Sequence, residues 1–237
     1  MNTNLRHLLV AASLFSPPLV AGTVLNETYT ASEIFSLATF PSRPPSLTMG
    51  DTRLVFPDGA VDHQVLLVLP LLPANSLSAL EPATVTFTLD TAFITPDNDL
   101  VVGLSDGEAF VSIMRTDAIP VSQSSFVEGD FSTPTIPSLT FASSDDLGIG
   151  AEVFTMSFTL GTSTSVTATI GSGSDSYVYS RVINRQNPLS LVFLAYETGD
   201  EYGIDSAAVT IEQVPEPAGT FLLLAGISAL TFRRRIV

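Results

Sequence analysis

The chain has 237 residues, no cysteine, no lysine and a formal net charge of −15. The missing cysteines exclude a disulfide framework and any cysteine-ligated zinc or iron–sulfur centre. Between Thr23 and Pro215 five arginines face 23 acids, a formal charge of −18, which repels phosphate backbones and anionic lipid surfaces and disfavours a nucleic-acid partner.

The first predicted element is a secretion signal. Arg6 precedes the short apolar run Leu8–Phe15, Pro17-Pro18 stops any helix, and Val20-Ala21-Gly22 offers small residues for cleavage after Ala21 or Gly22. The apolar run is too short to span a bilayer. Residues 1–22 are therefore read as a signal peptide and 23–213 as the exported domain.

Strand signals fill that domain. Val65–Leu69 and Leu189–Leu194 read as buried strands. Val85-Thr86-Phe87-Thr88-Leu89 and Phe154–Leu160 alternate large apolar residues with Thr or Ser. Leu100–Leu104 and Ala109–Ile113 flank Ser105-Asp106-Gly107-Glu108, and Asp-Gly between apolar runs predicts a hairpin. Phe154–Leu160 and Val166–Ile170 predict a second hairpin, and Val209-Thr210-Ile211 a closing strand. Ala31–Leu37 and Pro73–Leu80 suit short helical turns. Pro120–Pro137 and Gly171–Ser176 read as loops from their Ser, Pro and Gly content. About ten short strands with turn residues between them imply an all-β, antiparallel β-sandwich. The Asp97-Asn98-Asp99-Leu100 lead, the Gly-Leu-Ser-Asp-Gly hairpin and the closing Asp200–Ile211 segment resemble bacterial jelly-roll and laminin-G-like modules. That resemblance implies a jelly-roll strand order.

The last element is the tail, residues 214–237. Pro215-Glu216-Pro217 leads into Ala218–Phe232, which has no charge, and then into Arg233-Arg234-Arg235. The apolar stretch is slightly shorter than a full bilayer span, and the arginines favour a cytoplasmic end. Together they predict a transmembrane helix with the domain outside. Tripeptide, apolar helix and arginine cluster, in that order at the chain end, resemble the PEP-CTERM sorting signal. The resemblance implies an exosortase as partner alongside the secretion machinery, and transient inner-membrane insertion by the C-terminal helix. It further implies release or attachment at the surface of a Gram-negative bacterium that exports polysaccharide.

Catalytic signals are few. His63 is the one histidine left after signal removal, and its neighbour Asp62 would point to the opposite face of a strand. There is no Gly-x-Ser-x-Gly elbow, and no tryptophan for sugar stacking. The expectation is a protein that is not an enzyme: an exported surface or extracellular-matrix component that binds exopolysaccharide. The alternatives are a polysaccharide-active enzyme using paired carboxylates and a purely structural biofilm component. No cofactor is required. Calcium suits the oxygen-rich segments Asp97 and Asp99, Asp145 and Asp146, and Asp205, although surface acids at turns explain the same pattern and EF-hand spacing is absent. For glycan contact the candidates are Tyr177 and Tyr179, two apart on one strand and so on one face, with Asn184, Arg185 and Gln186 as hydrogen-bonding neighbours.

Overall fold

A computed structural model describes residues 22–41, 48–49, 53–56, 64–93, 99–117, 122–131, 139–145, 153–170, 173–195 and 202–213. Thr23–Gln213 makes up one unit. The expected signal peptide, apart from Gly22, and the whole expected sorting tail, residues 214–237, lie outside the described residues.

The strands follow from alternation. In β5 (Ala83–Phe93), Ala83, Val85, Phe87 and Leu89 are buried while Thr84, Thr86, Thr88 and Asp90 turn outward. β10 (Val153–Leu160) and β11 (Thr164–Ile170) repeat the pattern and pair as the expected hairpin. The other strands are β1 (Gly22–Thr30), β2 (Thr48–Met49), β3 (Leu54–Phe56), β4 (Gln64–Leu72), β6 (Asp99–Ser105), β7 (Ala109–Asp117), β8 (Ser122–Asp130), β9 (Leu139–Asp145), β12 (Gly173–Tyr179), β13 (Leu189–Ala195) and β14 (Tyr202–Gln213). They form two antiparallel sheets. The eight-stranded sheet runs β12-β11-β10-β5-β14-β3-β2, with β1 also on β14, and the six-stranded sheet runs β4-β13-β6-β7-β8-β9. The chain crosses between the sheets repeatedly, as in a jelly roll.

The main core lies between the sheets and includes Phe87, Phe126, Phe158 and Phe193. The six-stranded sheet is apolar on both faces. In β13, Leu191 and Phe193 join the main core, whereas Val192 and Leu194 join a second buried group with Val65, Val101, Phe110 and Val127. The uninterrupted Leu-Val-Phe-Leu sequence of β13 thus reflects burial on both sides.

The helix α1 (Ala31–Leu37) forms where a helical turn was expected. Thr30 caps it: the Glu33 N–H donates to Thr30 Oγ1, and the Thr30 N–H donates to the Glu33 carboxylate at 2.8 Å. The Thr30 N–H and then the Thr30 hydroxyl, which also donates to the Glu33 carboxylate at 2.8 Å, hold that carboxyl below the ordinary carboxylate range. Among the described residues no helix is long and apolar enough to cross a membrane.

Three local expectations are corrected. Pro73–Leu80 is a turn segment without helix. Half of the Pro120–Pro137 loop, Ser122–Asp130, is strand β8, where buried Phe126 and Val127 outweigh the local Ser content. The Gly171–Ser176 loop overlaps β12, whose Gly173–Ser176 half pairs with β11.

Candidate functional site: the hydroxyl face of the eight-stranded sheet

The outward positions of β5, β10, β11 and β12 are Ser or Thr with few exceptions. Register places them in rows across the sheet. One row runs Thr210–Thr86–Ser157–Thr167–Ser176, over β14, β5, β10, β11 and β12. Asn26 of β1 extends it, because Thr210 Oγ1 donates to Asn26 Oδ1 at 3.3 Å. A second row runs Ala208–Thr88–Thr155–Thr169–Ser174, and a third Glu212–Thr84–Thr159–Ser165–Val178. Six strands at about 4.8 Å spacing make the first row about 24 Å long.

The hydroxyls pair along the rows: Thr86 with Ser157 at 3.0 Å, Thr88 with Thr155 at 3.0 Å, and Thr167 with Ser176 at 2.9 Å. A pair of hydroxyls shares one proton. The other proton and the spare lone pairs stay available, so the face both donates and accepts. Among the described outward positions of β5, β10, β11 and β12 the one charge is Asp90. Apart from Asp90 at one end and Glu212 of β14 at the other, the face is an uncharged, hydroxyl-lined strip on a strongly acidic domain.

The sequence-predicted residues go elsewhere. Pro215, Glu216, Pro217, Arg233, Arg234, Arg235, Asp97, Asp146 and His63 lie outside the described residues. Asp99 begins β6 and Asp145 ends β9, three strands apart in one sheet, or about 14 Å. Asp205 is on the other sheet. There Arg53 lies over Gly203, where a Cβ would meet the arginine Cδ at 2.3 Å, and donates two hydrogen bonds of 2.5 Å to the Asp205 carboxylate. Asp99, Asp145 and Asp205 are thus not brought together. Among the described residues no three acids or histidines converge on one point.

Tyr177 and Tyr179 do share a face, but it is the inner one. Tyr179 is 3% exposed and its hydroxyl donates to the Ser112 carbonyl at 2.7 Å. Its ring stacks on Phe158, and the half-buried Tyr177 stacks on Phe126. As a glycan contact Tyr179 is corrected to a core residue. Burial, then Glu128 and Tyr177, hold its hydroxyl well above the ordinary tyrosine range. The fold favours the neutral phenol, so that share of stability is present below pH about 10 and is lost as pH rises through the higher folded value. Tyr179→Phe is expected to cost about 1 kcal/mol at neutral pH and to remove this alkaline dependence. Urea denaturation of both forms at neutral and strongly alkaline pH measures it.

Asn184, Arg185 and Gln186 are held by neighbouring loops. Arg185 donates to the Glu81 carbonyl and, at 2.9 Å, to that of Ala79. Gln186 Nε2 donates to the Leu77 carbonyl at 2.6 Å, and the Asn184 N–H donates to Asp106 Oδ2 at 2.6 Å. Asp106 also accepts the N–H groups of Glu108 and Ala109, closing the hairpin turn in which Gly107 has φ 89°. Glu128 accepts from the Ser180 hydroxyl and the Arg181 N–H at 2.6 and 2.8 Å, and Arg181 reaches Asp130 at 2.5 Å. The buried carboxylates of Asp106 and Glu128 and the half-buried Arg185 and Gln186 thus tie these loops to one end of the sandwich.

Sheet order, register and the two-sided packing define an antiparallel β-sandwich of the jelly-roll kind. No protein-family model matches the chain, and no curated protein matches it in sequence. Among solved structures, the chain is similar to the CBM2 module of the evolved Dit protein of Lactobacillus casei BL23 phage J-1. The TM-score is 0.50 at 8% identity, over 82% of this chain and 96% of that one. A legume lectin-like domain from Entamoeba histolytica gives a TM-score of 0.49 at 8% identity, over 78% and 96%. At these identities the likeness is one of fold.

Proposed function

We propose that this is an exported, non-catalytic surface or matrix protein whose eight-stranded sheet binds a neutral polysaccharide chain. The observation that carries the reading is the neutral hydroxyl face. Its rows donate and accept hydrogen bonds as sugar hydroxyls do, while the acidity of the rest of the domain disfavours acidic polymers. Neighbouring strands in a sheet rotate by roughly 20°, so five steps accumulate about 100°. Such a surface suits a flexible chain that follows the twist, not a flat crystal face. The CBM2 module's name says carbohydrate binding of that protein, which supports the same ligand class here.

The address reading rests on the two ends. The Arg6-led apolar run supports export, and Pro215-Glu216-Pro217 with the uncharged stretch and Arg233-Arg234-Arg235 supports exosortase sorting from an inner-membrane precursor. Replacing the three motif residues with alanine is expected to leave the uncleaved chain in the inner membrane, seen by fractionation and immunoblotting. Equal release of variant and natural chains would refute the sorting role.

Binding is tested with the full chain against a soluble neutral β-glucan and against alginate as an acidic counterpart, by affinity electrophoresis. Retardation by the neutral polymer alone is expected. No retardation by either would sink the ligand reading.

A further inference from the structure

We propose that two copies of this chain pair edge to edge through β12, antiparallel about a two-fold axis at Ser176. The pairing needs no ligand. Among the described residues β12 is the end strand of its sheet, and its pairing with β11 is unbroken from Gly173 to Tyr179. In an antiparallel ladder alternate residues turn their backbone groups to one neighbour or the other. The Ser176 N–H donates to its own neighbour's carboxylate, Asp175 Oδ1, at 2.7 Å. Ser174, Ser176 and Val178 therefore aim their N–H and C=O groups at the open edge. Edges are commonly guarded by Pro, Lys, a bulge or an inward-pointing charge. Gly173–Tyr179 has no Pro, Lys or bulge, and its one charge is Asp175 on the inner face.

Self-pairing about Ser176 is the register that engages every outward residue. It sets Ser176 against Ser176 of the second copy, and Ser174 against Val178 twice. That makes three hydrogen-bonded pairs with two backbone bonds each. The exposed Asp175 bond is given up in exchange. On the outer face every opposed side chain is small and uncharged, and Val178, 61% exposed in one chain, gains a neighbour. On the inner face Asp175 lies opposite Tyr177, so the two acids do not oppose each other. A shift of one residue would set acid against acid and present the wrong backbone groups. Ser176 is also the last residue of the longest hydroxyl row, so this register joins the two rows end to end.

The absence of cysteine makes the register directly testable. Across a hydrogen-bonded pair the Cα atoms lie about 5.5 Å apart, inside the disulfide range of roughly 4.4–6.8 Å. In the purified full chain, kept in mild detergent, Ser176→Cys is expected to form a disulfide-linked dimer as the major species on mild oxidation. Ser174→Cys should stay monomeric, because its two copies lie four residues apart, about 13 Å. The double variant Ser174→Cys/Val178→Cys should link again. The Ser176 N–H points away from β11, so Ser176→Pro should keep the strand content seen by circular dichroism. Its sedimentation should halve the protein mass, to the 25.1 kDa of one chain. Equal linking of the Ser176 and Ser174 cysteine variants, or a natural chain that sediments at single-chain mass throughout, would overturn the proposal.

Discussion

Asp106→Ala is expected to cost the domain about 4 kcal/mol of stability. The side chain is 3% exposed and accepts three backbone N–H groups, from Glu108 at 2.9 Å, Ala109 at 2.7 Å and Asn184 at 2.6 Å. Hydrogen bonds to a charged acceptor contribute roughly 1.5–3 kcal/mol each, and stranded donors add their own desolvation cost. Partial relaxation and water entry keep the total below the simple sum. The loss acts at two places, since Asp106 closes the β6–β7 hairpin and also anchors the 180–188 loop. Asp106→Asn keeps an acceptor for Glu108 and Ala109 but can set an amide N–H against the Asn184 N–H, so it should fall between. Urea midpoints report the difference, with an unchanged m value marking loss of stability and not of compactness.

Thr86→Val, Ser157→Ala and Thr167→Val together are expected to weaken neutral-polysaccharide binding roughly a hundredfold. Each removes one hydroxyl from the middle of the row and keeps a side chain of similar or smaller size. Three hydrogen bonds at about 1 kcal/mol each give about 3 kcal/mol, and each 1.4 kcal/mol is a factor of about ten in affinity. The positions are exposed or half-buried, and Val suits a strand as well as Thr does, so the stability change should be small. Thr162→Val, on the exposed β10–β11 turn, is the control and should bind as the natural chain does. Isothermal titration calorimetry with the β-glucan separates the two cases.

The sandwich was legible wherever large apolar residues alternate with Thr or Ser, as in β5, β10 and β11, and wherever apolar runs flank Asp106-Gly107. It was less legible in β8 and β12. There Ser, Gly and acidic residues interrupt the apolar alternation, and strand identity shows only in the ladders with the strands adjacent in sequence, β7 and β9 for β8 and β11 for β12. The hydroxyl face is written in the same Thr-x-Thr alternation that marks the strands. Its meaning as a row depends on register among β14, β5, β10, β11 and β12, separated by up to about 120 positions, which no local pattern encodes. Tyr177 and Tyr179 show the complementary failure. Period two fixes that they share a face but not which face, and the aromatic rings of Phe126 and Phe158 draw them inward. Arg185 and Gln186 looked like free donors because the carbonyls they bind, at Leu77, Ala79 and Glu81, are over a hundred residues away.

The most direct test of the hydroxyl-face reading is residue-resolved: amide chemical-shift mapping of the full chain during titration with the soluble neutral β-glucan. Shifts are expected along Thr210, Thr86, Ser157, Thr167 and Ser176, with none at the 180–188 loop. Shifts confined to that loop, or none at all at saturating polymer, would contradict it.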